Sequence, residues 1–211
     1  MRNSRPLCPK VILEGTRLTK KTELAFTLRD HPRFVGARRY RYHLPLVSAQ
    51  WSGLTNEAWG PSLITFPPEH EEKALEAYRT WLRLFELHRY YTWVVDRFHL
   101  STAVHQERQE RAFDIEQIER RLLPLGFAVV LCTRTPESFA AAREERLRVS
   151  ANPSQYDDLD VFVREQDALR KAAERSALPV LELDVTNRSE AELADVVTDW
   201  YADHNLLHQD H

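Results

Sequence analysis

Gly15, Lys21 and Thr22 are spaced as the first, seventh and eighth residues of the phosphate-binding pattern G-x-x-x-x-G-K-[ST]. Glycine allows a tight turn, lysine neutralises phosphate charge, and the threonine hydroxyl can bind Mg²⁺. The N–H groups of such a loop and of the following helix point toward phosphate oxygens. The spacing therefore predicts a loop that binds nucleotide phosphates, made of Gly15, Thr16, Arg17, Leu18, Thr19, Lys20, Lys21 and Thr22.

Lys20 departs from the pattern, because it stands where a second glycine is expected. A residue other than glycine at positive φ costs about 1–2 kcal/mol if the loop keeps its usual shape. A degenerate pattern also arises by chance, and the alternative is a polar turn that opens a surface helix. The neighbouring sequence favours the phosphate loop, because an apolar strand at 11–13 precedes it and a helix with apolar Leu24 and Leu28 follows.

Asp96 and Arg97 form a second candidate group, directly after an apolar strand at 91–95. Open α/β sheets bind their ligands at the carboxyl ends of the strands. At such an edge Asp96 can act as a general base toward an acceptor hydroxyl or bind the metal ion, and Arg97 can hold a phosphate through two hydrogen bonds. The alternative is an ion pair at a strand end with no catalytic role.

Strand-like and helix-like segments alternate along the chain, and they set the fold expected to position these groups. Apolar runs predict strands at 11–14, 91–95, 127–132 and 180–183, with further short strands near 42–47 and 62–66. Helical periodicity and end signals predict helices at 21–30, 69–89, 101–123, 136–147, 156–176 and 189–203. This alternation predicts an α/β fold, a three-layer sandwich with a central parallel sheet of about five strands.

The composition fits a single globular domain of 211 residues, with 43% hydrophobic and 29% charged residues. The formal net charge of −3 gives no support for nucleic-acid binding by the whole surface. Cys8 and Cys132 are far apart and lack zinc-ligand spacing, so neither a zinc site nor a disulfide framework is expected. No apolar stretch is long enough to span a membrane and the N-terminus lacks the apolar centre of a signal peptide, which predicts a cytoplasmic protein without membrane contact.

The segment 96–106, D-R-F-H-L-S-T-A-V-H-Q, resembles the D-R-Y-x-x-S-S-x-A-Y-Q segment of thymidylate kinases. Three further segments resemble that family's phosphate loop, the approach to its arginine-bearing lid and its last strand: residues 14–25, residues 131–137 with Arg143 and Arg146, and residues 178–184. The resemblance implies a P-loop kinase of the nucleoside and nucleotide kinase group.

Such a kinase would use ATP and Mg²⁺ and transfer the γ-phosphate to a nucleoside, a nucleotide or a modified base. The resemblance implies one domain over residues 1–211, with an acceptor-side insert at about 31–68 and a lid at about 143–156. Carried over residue by residue, it assigns catalysis to Lys21, Asp96, Arg97, Arg143 and Arg146, metal binding to Thr22 and Asp96, and acceptor binding to Arg97, Thr102 and Gln106.

The acceptor side departs most from the family, because no R-E-P-G-G segment follows the second strand and residues 31–68 have no counterpart. The phosphoryl donor is therefore better supported than thymidylate as acceptor. The run 37–43, A-R-R-Y-R-Y-H, lies where the acceptor site is expected. Arg39 in this run can supply the missing phosphate-binding arginine, but the run also fits a solvated edge, or a contact with nucleic acid in which aromatic rings stack on bases.

Three functions stay open on the sequence alone. The first is an ATP-dependent kinase of a small acceptor, and the second is a kinase of a hydroxymethylated base within DNA. The third is a non-catalytic nucleotide-binding protein whose loop has decayed at Lys20. The presence of Lys21, Thr22, Asp96 and Arg97 together favours an enzyme. The sequence does not identify the acceptor. It is compatible with a homodimer.

Overall fold

The structure is a computed structural model that describes residues 8–36, 44–57 and 60–207. In chain order its elements are β1 (Lys10–Glu14), α1 (Lys21–Asp30), α2 (Pro32–Val35), β2 (Leu46–Ser48), α3 (Glu71–Leu87), β3 (Trp93–Asp96), α4 (His99–Glu107), α5 (Ile115–Leu122), β4 (Phe127–Thr133), α6 (Ser138–Leu147), α7 (Asp160–Glu174), β5 (Val180–Asp184) and α8 (Glu190–Asp203). Within the described part of the chain, no helix is both long and apolar enough to cross a lipid bilayer.

The five strands form one parallel sheet in the order β2-β3-β1-β4-β5. β1 lies at the centre, and its Leu13 is in register with Asp96 of β3 and Val130 of β4. The residues that follow these three strands are therefore brought to the same edge of the sheet, where α/β proteins bind ligands. The predicted α/β fold with a central parallel sheet of five strands is confirmed.

Helices cover both faces of this sheet, because its strands carry apolar side chains on both sides. Val11 and Leu13 of β1 pack in a cluster with α1, α2 and α8, while Ile12 between them packs in a second cluster with α3, α4, α5 and α7. This alternation is the two-residue period of a strand. The three layers place α1 and the loop before it directly over the carboxyl end of β1.

The helix predicted at 101–123 is wrong, because the chain forms two helices, α4 and α5, with a break between them. Glu110 adopts a left-handed backbone with φ of 57°, which ends the first helix. Asp114 then starts the second, because its carboxylate accepts a hydrogen bond from the Gln117 N–H at 2.9 Å.

The short strand predicted at 62–66 is also wrong. Ser62 Oγ accepts hydrogen bonds from the N–H groups of Ile64 and Thr65, so the segment turns on itself, and Ser62 forms an isolated bridge with Gly53. The strand predicted near 42–47 is present as β2, which begins at Leu46; residues 42 and 43 lie outside the described part.

Candidate functional site

The loop between β1 and α1 has the close packing that the sequence pattern requires. Gly15 has φ of 145°, and a Cβ atom there would lie 2.5 Å from the Cys132 carbonyl oxygen and 2.8 Å from Thr19 Oγ1. No side chain fits, because β4 passes directly behind the loop. Thr19 Oγ1 also donates a hydrogen bond to the Thr16 carbonyl at 2.8 Å, which curls the loop on itself. The first glycine of the pattern is therefore a steric requirement.

Lys20 adopts the left-handed backbone expected of glycine at this position, with φ of 52° and ψ of 20°. Its amine is held by the start of α8, because Nζ donates to the Arg188 carbonyl at 2.9 Å and lies 3.2 Å from Glu190 Oε1. The condition under which the sequence predicts strain at Lys20 is therefore met. The cost of this conformation remains as strain in the loop.

Lys20→Gly is expected to leave the affinity for Mg·ATP equal or higher. The change relieves strain of about 1–2 kcal/mol. It removes a partly exposed ion pair, which contributes little, and an exposed hydrogen bond to the Arg188 carbonyl. Isothermal titration calorimetry of both proteins at one salt concentration measures the affinity. Lys20→Ala is the control, because it removes the same ion pair without adding the freedom of glycine. A clear loss of affinity shared by both variants would mean that the Lys20 ammonium contacts phosphate.

Lys21 is the buried cation of the loop. Its Nζ donates to the Thr16 carbonyl at 2.5 Å and lies 3.3 Å from Thr19 Oγ1, so the side chain folds back over the loop. Burial lowers the pKa of the amine, and the charge of Arg97 lowers it further, while Asp96 acts in the opposite direction. A bound anion would stabilise the charged amine. This environment suits the phosphate-neutralising role predicted from the sequence.

Thr22 and Asp96 meet beside the loop, where Thr22 Oγ1 donates to Asp96 Oδ2 at 3.3 Å. Asp96 Oδ1 is buried and has no hydrogen-bond partner. A carboxylate oxygen left without a partner inside a protein is costly, and a hard cation would satisfy it. The described residues contain no cluster of three or more His, Cys, Asp or Glu side chains, which is compatible with Mg²⁺ because this ion keeps several waters and uses few protein ligands. The hydroxyl and the carboxylate thus fit a magnesium site.

Arg97 is held in place on every side. Its φ of 59° is in the left-handed region, and Glu14 fixes the next turn because its carboxylate accepts hydrogen bonds from the Phe98 and Leu100 N–H groups at 3.0 and 3.1 Å. The guanidinium donates to Ser101 Oγ at 3.0 Å. It also donates to Gln50 Oε1 at 3.3 Å and to Glu165 Oε1. Arg97 therefore pairs with a carboxylate on a distant helix, whereas the neighbouring Asp96 carboxylate meets Thr22.

Glu165 of α7 links the two predicted groups, and no motif in the sequence points to it. One carboxylate oxygen pairs with Arg97, and the other accepts a hydrogen bond from Thr16 Oγ1 of the phosphate loop at 2.8 Å. Burial acts to raise the pKa of Glu165, but the Arg97 charge and the Thr16 hydrogen bond outweigh it and the pKa is lowered. Glu165 is therefore an anion that joins the loop to Arg97.

The proposed lid, residues 143–156, packs on the phosphate loop. Arg143 Nε donates to the Tyr156 carbonyl at 2.8 Å, and Arg146 Nε donates to the Tyr156 hydroxyl at 3.3 Å. Arg17 of the loop donates to Gln155 at 2.6 Å. Arg146 lines the cleft over the loop, whereas Arg143 is turned to the end of the lid. The structure thus brings one of the two candidate lid arginines to the cleft.

A cleft of about 220 Å³ lies over the phosphate loop. Lys21, Thr22 and Asp96 line it together with Arg134 after β4 and Arg146 on α6, and three glutamates also contribute: Glu23, Glu145 and Glu190. The segment after β2 contributes two uncharged residues, Gln50 and Trp51. The cleft therefore combines a phosphate-binding loop and charged side chains of both signs with an amide and an indole.

Thr102 and Gln106 do not line this cleft. Thr102 Oγ1 donates to the Leu63 carbonyl at 3.0 Å and meets the Tyr78 hydroxyl at 2.6 Å. Gln106 Nε2 donates to the Phe66 carbonyl at 3.1 Å. Both side chains hold the turn at 62–66 against α4, so their predicted contact with an acceptor stays a prediction. Arg39 lies outside the described residues.

No protein-family model matches the sequence, and no curated protein is similar enough to be counted as a relative. Solved structures do match. The YorR protein of Bacillus subtilis, solved with a phosphorylated GDP, superposes with a TM-score of 0.60 and 19% identity over 96% of this chain and 99% of its own. Shikimate kinase of Acinetobacter baumannii, solved with shikimate, gives 0.51 and 15% over 95% and 97%.

Thymidylate kinase of Ehrlichia chaffeensis gives a TM-score of 0.49 and 12% identity over 93% of this chain and 100% of its own. YorR and shikimate kinase, with TM-scores above 0.5, show the fold alone at these identities. The chain therefore has the fold of the P-loop kinases.

Proposed function

We propose that the protein is an ATP-dependent phosphotransferase that transfers the γ-phosphate to an acceptor, which is a nucleoside, a nucleotide or a modified base. One observation carries the proposal. The Lys21 amine, the Thr22 hydroxyl and the Asp96 carboxylate come together beside a loop that only glycine can begin. A buried Asp96 oxygen without a partner is the arrangement expected of a residue that awaits a ligand.

Each group has a defined role in this proposal. The loop amides and Lys21 bind and orient the phosphates, and Arg146 adds positive charge from the lid. Thr22 and Asp96 hold Mg²⁺, which supplies charge neutralisation when bound. Asp96 also lies near enough to the cleft to orient the acceptor hydroxyl. Phosphoryl transfer asks little covalent chemistry of the protein, so positioning and electrostatics supply most of the catalysis.

The solved neighbours support a phosphorylated ligand and leave the acceptor open. YorR was solved with a phosphorylated GDP, which favours a nucleotide in the cleft of this chain. Shikimate kinase was solved with shikimate, so acceptors within this fold are not confined to nucleotides. The choice of acceptor therefore depends on the residues of the cleft itself.

Two further functions remain as proposals. A kinase of a hydroxymethylated base in DNA rests on the arginines and tyrosines of 37–43, which lie outside the described residues. The proposal of a non-catalytic nucleotide-binding protein rests on the strained Lys20. The intact contact between Thr22 and Asp96 favours the enzyme. A homodimer stays a prediction.

Transfer of labelled γ-phosphate from ATP tests the proposal. The acceptors are panels of nucleosides, nucleoside monophosphates and hydroxymethylated DNA, each with and without Mg²⁺. We expect Mg²⁺-dependent product in at least one panel. Activity confined to DNA that falls steeply with added salt would favour the DNA-modifying variant. Nucleotide binding without transfer to any panel would favour the non-catalytic protein.

A further inference from the structure

The sequence predicts that Arg97 binds a phosphate on the acceptor, but in the structure its guanidinium already pairs with other side chains. Its side chain is 6% exposed, it pairs with Glu165, and it is absent from the lining of the cleft. Its remaining described contacts are with Ser101 and Gln50. Two of its three side-chain partners are neutral and the third cancels its charge.

A phosphate monoester that approached Arg97 would have to displace Glu165. The displaced carboxylate is 16% exposed and would stay beside the phosphate, held by Thr16 Oγ1 at 2.8 Å. Separating a buried ion pair leaves an uncompensated charge, and two like charges side by side repel each other. An uncharged acceptor meets neither penalty, because the pair stays intact.

The part of the cleft lining that comes from the segment after β2 is uncharged in the described residues. The cationic residues that line the cleft come from the phosphate loop, from α1, from the segment after β4 and from α6: Arg17, Lys20, Lys21, Arg134 and Arg146. The segment after β2 contributes Gln50 and Trp51 instead. Gln50 accepts a hydrogen bond from Arg97, which fixes its amide at the wall. A fixed amide suits hydroxyl and carbonyl groups, and an indole suits an apolar ring face.

We propose that Glu165 sets the acceptor class: by neutralising Arg97 it selects acceptors that present an uncharged hydroxyl group, such as a nucleoside, over acceptors that already carry a phosphate monoester. The inference rests on the proposed function. In the transfer step the acceptor oxygen bonds to the γ-phosphorus, and the bond from that phosphorus to the β,γ-bridging oxygen breaks. The electron pair of the broken bond leaves with ADP, and the hydroxyl proton of the acceptor is released to water. Glu165 and Arg97 are positioning residues in this step.

Glu165→Gln tests the proposal, because it keeps the shape and an oxygen for the Thr16 hydrogen bond but removes the charge. The readout is the ratio of kcat/KM for each nucleoside to that for its 5′-monophosphate. We expect the unchanged protein to prefer the nucleoside. In Glu165→Gln the ratio should shift toward the monophosphate by about tenfold or more, as befits a released buried charge. Glu165→Asp keeps the charge and should keep the preference for the nucleoside.

Asp167→Asn is the matched control, because Asp167 lies on the same helix and pairs with Arg170 at the exposed surface. It should leave the ratio unchanged. The proposal is overturned if the unchanged protein prefers monophosphates, or if Glu165→Gln leaves the ratio where it was. The first of these measurements uses only the unchanged protein. The proposal can therefore be overturned even if Glu165→Gln does not fold.

Binding separates this inference from the proposed function. Calorimetry measures the affinities for thymidine, thymidine monophosphate, guanosine and guanosine monophosphate. A non-hydrolysable ATP analogue and Mg²⁺ are present in each titration. If no acceptor is phosphorylated but Glu165→Gln gains affinity for the monophosphates alone, the proposed function fails and the role of Glu165 stands. If transfer occurs but the variant gains no affinity for monophosphates, the proposed function stands and the role of Glu165 fails.

Discussion

Lys21→Ala is expected to remove most of the stabilisation that Mg·ATP gives the protein. At roughly 100 times its Kd, Mg·ATP should raise the free energy of unfolding of the unchanged protein by about 2.7 kcal/mol. Lys21 carries the buried ammonium of the phosphate loop, with Nζ 2.5 Å from the Thr16 carbonyl. Its removal deletes the charge nearest to the expected phosphates. Differential scanning calorimetry with and without Mg·ATP measures the difference.

Lys20→Ala is the neighbouring comparison for this experiment. The Lys20 amine is bound to Arg188 and Glu190, so Lys20→Ala should lose much less of the stabilisation by Mg·ATP than Lys21→Ala. Equal losses in the two variants would mean that the loop acts through general positive charge, and the specific role of Lys21 would be wrong. The assignment of the donor site would be wrong if no purine triphosphate raised the melting temperature of the unchanged protein at millimolar concentration.

The fold was predictable where one local signal decides the structure. β4 is apolar at nearly every position, as is typical of a parallel strand covered on both faces, and all seven of its residues are buried. The start of α8 was predictable because Ser189 and Glu192 form a capping box, in which both hydrogen bonds are present. These elements need no knowledge of the rest of the chain.

The end of α4 could not be predicted from such signals, although Asp114 followed three residues later by Gln117 is a local signal for the start of α5. The segment contains neither glycine nor proline, and its apolar spacing continues through Ile115 and Ile118. The helix ends because Glu110 takes a left-handed backbone and Asp114 caps a new helix. A residue other than glycine adopts that backbone only when tertiary packing compensates its cost, and the sequence does not show this packing.

The residues of the site divide in the same way, into those that a local signal identifies and those that only the folded chain brings together. The phosphate loop is contiguous, so its residues could be identified from their spacing. Glu165 could not, because it lies 149 residues from Thr16 and 68 from Arg97 along the chain. Thr102 and Gln106 were assigned through the thymidylate kinase resemblance. In the structure their side chains donate to the carbonyl groups of Leu63 and Phe66, the second of which also accepts a hydrogen bond from Arg111.

Asp96→Asn is expected to keep nucleotide binding and to lose transfer. Asparagine has the shape of aspartate and can still accept the Thr22 hydrogen bond, so the cleft should keep its form. The change removes the charge that would hold the metal and orient the acceptor hydroxyl, and these interactions matter most in the transition state. We expect kcat to fall by about 100-fold or more while the Kd for ATP measured without transfer changes little.

Asp184→Asn is the matched control for this prediction. Asp184 also stands at the carboxyl end of a strand of the same sheet, but its carboxylate accepts a hydrogen bond from the Thr186 N–H at 2.8 Å and does not line the cleft. Its replacement removes a charge at the same edge of the sheet but outside the cleft. The value of kcat should therefore stay unchanged. Equal losses in the two variants would mean that transfer depends on the general negative charge of this edge. Full activity in Asp96→Asn would mean that the unpartnered Asp96 oxygen has no part in catalysis, and that another group orients the acceptor hydroxyl.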